Sequence, residues 1–148
     1  MFRPRDTFPS LVALVGRQWR RAVDRRLQPL GLTEATWLPL IHLARASEPP
    51  RQKDLATSMV LDGSSVVRLL DALAGAGLVE RREETGDRRA KVLTLTGHVQ
   101  AIADQAEAVA RDVREAALAS VSEKDIAIAT RVLAQIRRNL ETVLEKEP

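Results

Sequence analysis

The segment Glu84–Thr96, ETGDRRAKVLTLT, changes character at a glycine. A charged turn, Glu84-Thr85-Gly86-Asp87, leads into Arg88-Arg89, and from Ala90 to Leu95 the chain becomes β-like. A second run of that kind, Leu78–Arg82, precedes the turn. Two such runs joined through a Gly-containing connection predict an antiparallel hairpin. Its tip would carry Arg88 and Arg89, where long cationic side chains reach a phosphate backbone or a minor groove.

Helical spacing dominates on either side. Residues 8–28 place Phe8, Leu11, Val12, Val15, Trp19, Val23 and Leu27 along one stripe, with Thr7 as cap, Pro9 in the first turn and Pro29 and Gly31 as the end. A second helix starts from Thr33 as cap, and Pro39 inside it predicts a kink. Gln52–Met59 reads as a short helix. Ser64–Gly77 reads as another, capped by Asp62 or Ser64 and ended by Gly77. Thr96 is expected to cap a long Ala-rich helix running to about Ala119. Ser122–Asp125 is a capping box for a last helix whose apolar side includes Ile128, Val132, Leu133, Leu140 and Val143. The expected fold is mainly α with a short two-stranded β wing. A winged helix-turn-helix lobe spans 33–96, and residues 8–30 and 97–146 form a helical dimerisation region of the same chain, 1–148.

Composition narrows the function. Of 148 residues, 45% are hydrophobic but only 3% aromatic, so a core must be built from Leu, Val, Ile and Ala. The absence of Cys excludes disulfides, thiolate metal sites and thiol redox sensing. Two histidines are too few for a His-based metal centre, so no metal and no cofactor are expected. No apolar run approaches the roughly 20 residues of a membrane span, and MFRPRDTFPS lacks the apolar centre of a signal peptide. The expected location is the cytoplasm. The net charge of +3 is uneven: residues 1–29 hold seven Arg against two acids, whereas residues 98–148 hold nine acids against seven bases. No Gly-rich phosphate loop or nucleophile motif is present, so no enzyme activity is expected.

At GLTEATWLPLIHLA (31–44), KDLATSMVLDGSSVVRLLDALAGAGLVERR (53–82) and GDRRAKVLTLT (86–96), the chain resembles the MarR family of bacterial transcription regulators. RQWRRAVDRRLQPLGLT (17–33) makes its SlyA branch the nearest likeness. The most specific element is Asp87-Arg88-Arg89 following GLVERR, and the likeness runs from about Leu11 to the end of the last helix. Departures are Pro39 and LTGHVQ (95–100), where relatives more often have a polar, LTEKG-like helix start. The resemblance implies a homodimer that binds a pseudo-palindromic double-stranded operator and responds to small phenolic or carboxylate-bearing ligands. The competing class is a winged-helix module that binds protein, which has no need of arginine at the wing.

The residues support the same surface. Gly63, Ser64, Ser65, Val66 and Arg68 fill the first turns of the second helix of the helix-turn-helix. Taken alone, Ser64 and Ser65 read as a helix start that caps itself; followed by a wing, they read as DNA contacts. Arg88 is the expected inserted side chain, and Arg89 its structural partner or a phosphate contact. An acid at a DNA-facing tip repels phosphate, so Asp87 is assigned to holding the wing turn. Lys53, with Arg51, reads equally as a phosphate contact or as surface charge. Trp19 and Trp37 read first as core or dimer packing. Alternatively they wall a pocket in which Arg17, Arg68, Thr33 and His42 hold an anionic ring compound.

Overall fold

A computed structural model describes residues 3–59, 63–84, 87–97 and 99–147; the side chains at 35, 56, 58, 63, 64, 66, 84 and 87–91 fall outside the description. The elements run α1 (Pro4–Leu27), a 3-10 turn (Gln28–Leu30), α2 (Glu34–Arg45), α3 (Gln52–Met59), α4 (Gly63–Gly75), β1 (Val79–Glu84), β2 (Asp87–Leu95), α5 (Val99–Leu118) and α6 (Glu123–Glu145). The mainly helical fold with one antiparallel hairpin matches the expectation.

Several helix ends differ from the sequence reading. Helix α1 begins at Pro4 rather than after Thr7. The Asp6 carboxylate accepts from the Arg3 backbone N–H at 3.3 Å, and Pro4 brings a φ already suited to a helix. Thr7 therefore lies inside the first turn, its hydroxyl donating to the Pro4 carbonyl at 3.3 Å. Thr33 is the N-cap of α2 as expected, but its hydroxyl pairs with that of Thr36 at 3.3 Å and caps no backbone amide. Pro39 lies inside α2 as expected, the helix runs on to Arg45, and the Pro39 side chain is fully buried. Thr96 stands at the start of α5 as expected, its carbonyl accepting from the Val99 and Gln100 N–H groups at 3.0 and 3.3 Å. Its hydroxyl has a further task, donating to the Gly77 carbonyl at 2.9 Å and tying the end of β2 to the loop before β1. The Asp62 and Ser64 caps expected for α4 fall outside the description.

One core closes the winged lobe. Leu40 and Leu43 of α2, Leu55 of α3, Leu70 and Leu73 of α4, Val79, Leu93, and Val99 and Ala103 of α5 are buried together. The hairpin pairs Val79 with Leu95 and Arg81 with Leu93, with a bulge between Glu83 and Glu84. The strands extend further toward the turn than the apolar pattern predicts, because backbone pairing needs no apolar side chain and continues to Glu84 and Asp87. The segment before α3 joins the sheet: the Leu93 N–H donates to the Pro50 carbonyl at 2.9 Å, and Arg51 bridges to Val92.

A second core lies between α1, α2 and α5, where Val23, Leu27, Leu32, Trp37, Ile41, Ala106, Ala110 and Val113 are buried. The chain divides into two units at Val113/Arg114. The C-terminal unit contains α6, whose start is capped as expected by the Ser122 hydroxyl, accepting from the Asp125 N–H at 3.1 Å. Helix α6 has no buried residue, and Ile128, Val132, Leu133, Leu140, Val143 and Leu144 stand exposed on it.

Helix α4 ends in a Schellman turn: Leu78 N–H bonds to Leu73 O and Gly77 N–H to Ala74 O, with Gly77 at φ +73°. Gly75, two residues earlier, is still helical, and nothing lies within 4 Å of a Cβ added there or at Gly77. The two glycines should therefore respond in opposite directions to the same substitution. Gly75→Ala is expected to raise stability by about 0.5–1 kcal/mol through helix propensity. Gly77→Ala is expected to lower it by about 1–2 kcal/mol through left-handed strain. Urea unfolding of both variants checks this, and shifts of the same sign would contradict it.

Candidate nucleic-acid interface

Helix α4 is held by one face and presents the other. Leu70 is 0% exposed and Leu73 is buried one turn on, whereas Val67 and Arg68 are exposed. Position 64 lies one turn before Arg68 and shares its face. Ser65 is half-buried, and Lys53 is exposed in the first turn of α3. Gly63, Ser64 and Val66 occupy the first turn and a half of α4, although their side chains fall outside the description, as do those of Asp87, Arg88 and Arg89 on β2. The structure thus puts the helix start and the wing in one lobe, around one core.

Two charged groups that the sequence reading passed over set this arrangement. Asp71 of α4 accepts from the Arg81 guanidinium of β1 at 2.5 Å, linking helix to wing. Arg82 instead bonds Glu80 along the other face of β1 at 2.9 Å.

The residues proposed for a ligand separate into groups. Trp37 is 3% exposed in the second core, and its indole N–H donates to the Asp24 carboxylate at 3.2 Å. Trp19 is half-buried and packs against the same cluster. Arg17 is exposed; two residues from Trp19, it lies about 200° around α1, on the other side of the helix. Thr33 is exposed at the start of α2, one turn before Trp37, and Arg68 belongs to the exposed face of α4. A cavity of about 220 Å3 near the base of the wing is lined by Leu43, Ser47, Pro50, Thr94 and Gln100 among others, and by none of these six candidates. Among the described residues, no three His, Asp or Glu side chains gather closely enough to hold a metal ion, and no helix is long and apolar enough to cross a membrane.

The MarR family's sequence model matches residues 32–91, from the start of α2 into β2. The solved structure of the transcriptional regulator PA3341 is similar at a TM-score of 0.81 and 42% identity, covering 91% of this chain and 98% of that one. The chain belongs to the MarR family. Two more distant structures share the fold. The S. aureus MepR–DNA complex matches at a TM-score of 0.78 and 19% identity, over 90% of this chain and 98% of that one. The regulator SlyA matches at 0.78 and 18%, over 93% and 96%. MarR-family proteins are transcription regulators, and this chain is one of them.

In this MarR-family lobe, His42 is half-buried on α2 beside the Arg45–Glu107 ion pair, whose Nε–Oε2 distance is 2.7 Å. Burial lowers the His42 pKa below its ordinary 6.5, the Arg45 cation lowers it further, and Glu107 opposes both. Above pH 6.5 the ring is neutral in folded and unfolded chains and contributes nothing to the pH dependence. As pH falls below 6.5, the unfolded chain takes up the proton first, so stability is lost until the folded ring also protonates. His42→Gln should remove that part of the acid destabilisation. Unfolding free energies of wild type and variant should run parallel above pH 7 and change their spacing below about 6.5. Parallel curves across the whole range would contradict the assignment.

Proposed function

We propose that this protein is a homodimeric, ligand-responsive repressor that reads a pseudo-palindromic double-stranded DNA operator in the cytoplasm. The observation that carries the reading is the exposed face of α4, with Arg68 on the side away from the buried Leu70 and Leu73 and Val67 exposed at its edge, beside a hairpin of sequence Asp87-Arg88-Arg89. A helix anchored by one face and bare on the other suits a major groove, and Gly63, Ser64, Ser65, Val66 and Arg68 are its reading end. Lys53, Arg88 and Arg89 supply charge for phosphates or the minor groove, and Asp87 holds the wing turn. The MepR structure, a relative in fold, is a complex with DNA.

Dimerisation is supported by apolar surface. Helix α1 exposes Phe8, Leu11, Val12, Leu14 and Val15, and α6 exposes Ile128, Val132, Leu133, Leu140, Val143 and Leu144. A 23-residue helix with no buried residue needs a partner surface to be stable in water. A second copy supplies one with the same chemistry. Ligand response rests on Trp19, whose half-buried indole leaves a ring face for an aromatic acid, with Trp37 behind it in the core. Such a ligand releases DNA only if it prefers the dimer form with the wrong spacing of recognition helices.

Selection from random duplexes should yield a pseudo-palindrome whose affinity falls steeply with salt. On it, Arg88→Ala should cost about 1–3 kcal/mol of binding while leaving the melting temperature nearly unchanged. Adding salicylate-like acids to the same titration should weaken binding, and less so for Trp19→Ala. A protein-binding module would instead select no duplex, and its Arg88→Ala variant would be silent.

A further inference from the structure

We infer that the Asp71–Arg81 ion pair is a positioning device that locks the recognition helix to the wing, so that both meet DNA as one body. The inference rests on the DNA-binding reading above. Asp71 stands on α4 one turn after Arg68 and two turns after position 64, so its carboxylate lies along the helix face assigned to DNA. Left alone there, it would repel phosphate. Instead it turns to Arg81 Nη2 at 2.5 Å, with the Asp71 side chain 59% exposed and that of Arg81 only 25%. Arg81 faces Leu93 across the hairpin, and the Leu93 amide is bonded to the Pro50 carbonyl just before α3. The wing is therefore tied on both strands: β1 to the recognition helix through an ion pair, and β2 to the first helix of the helix-turn-helix through the backbone.

The pair is a poor stability element, which points to geometry as its role. Arg81 Nε is buried with no hydrogen-bond partner, so part of the guanidinium is desolvated without compensation. An apolar side chain of similar length fills the same space without that penalty. Arg81→Met should thus leave the fold intact and release the coupling between helix and wing, but it also frees the Asp71 carboxylate, so the double variant, which lacks both charges, isolates the coupling. Asp71→Asn breaks the same link from the other side and also removes a negative charge from the DNA-facing surface.

The test is operator and random-sequence DNA binding by the full-length protein, with melting curves, for wild type, Arg81→Met, Asp71→Asn and the double variant. Each single change is expected to weaken operator binding about five- to tenfold, and the double variant no more than the worse single one. Random-sequence affinity of the double variant, the salt slope and the Arg81→Met melting temperature should stay near wild type. Operator binding that tightens or holds in Asp71→Asn would overturn the inference, because simple charge removal would then account for the result. A salt slope reduced by about one in Arg81→Met would mean that Arg81 itself contacts phosphate. Collapse of the Arg81→Met fold would make the pair a stability element, again overturning the inference. A wild-type protein that binds no duplex would remove the DNA-binding reading and this inference with it; wild-type binding with unchanged variants removes the inference alone.

Discussion

Five small side chains of α5 form the seam on which both cores close. Val99, Ala103, Ala106, Ala110 and Val113 follow one another at steps of four and three, so they share one face of the helix, and all are buried. The first two belong to the winged-lobe core and the last three to the core with α1. Helix α2 meets both: Leu40 and Leu43 enter the first, Trp37 and Ile41 the second. With apolar groups on more than one side, α2 is a buried helix, and it tolerates Pro39 because the ring adds packing where the lost amide removes a bond. Alanine on α5 leaves room for these larger α2 side chains, and enlargement at the fully buried Ala103 or Ala106 is expected to overpack the seam.

From that seam outward, each step toward the candidate interface is fixed by fewer contacts. Leu70 and Leu73 set the roll of α4, leaving Val67 and Arg68 outside. The Schellman turn at Gly77 then reverses the chain into β1, and the Thr96 hydroxyl closes the base of the hairpin against the Gly77 carbonyl. Beyond the base, the strands carry charged residues, and the backbone pairing continues through them to Glu84 and Asp87. A rigid base and a charged, projecting end is the arrangement a wing needs: the base sets direction, and the end supplies cations.

What the sequence made legible follows this gradient from local to long-range causes. The hairpin, the span of α3 and the Ser122 cap were readable because turn glycines, apolar periodicity and capping boxes act within a few residues. The start of α1 was misplaced because Thr7 looked like a cap, while Pro4 and Asp6 made the earlier start. The partner of the Thr96 hydroxyl was not legible because Gly77 lies 19 residues away in sequence. Trp37 was recognised as a residue of interest, but its partner Asp24 was not, since nothing local pairs an acid on one helix with an indole on the next. Asp71 and Arg81 were overlooked for a similar reason: each alone reads as surface charge, and only the turn of the chain at Gly77 brings them together. The stripe of α5 was not legible, because a run rich in alanine and acid carries little apolar contrast.

Reading a pseudo-palindromic operator requires two copies of the α4-and-wing lobe to face one duplex together. Hydroxyl-radical footprinting of the selected operator tests that requirement directly. The expected pattern is two protected half-sites centred about 10–11 base pairs apart on one face of the DNA, each flanked by protection from the wing. Protection of a single half-site, or of half-sites on opposite faces, would contradict it.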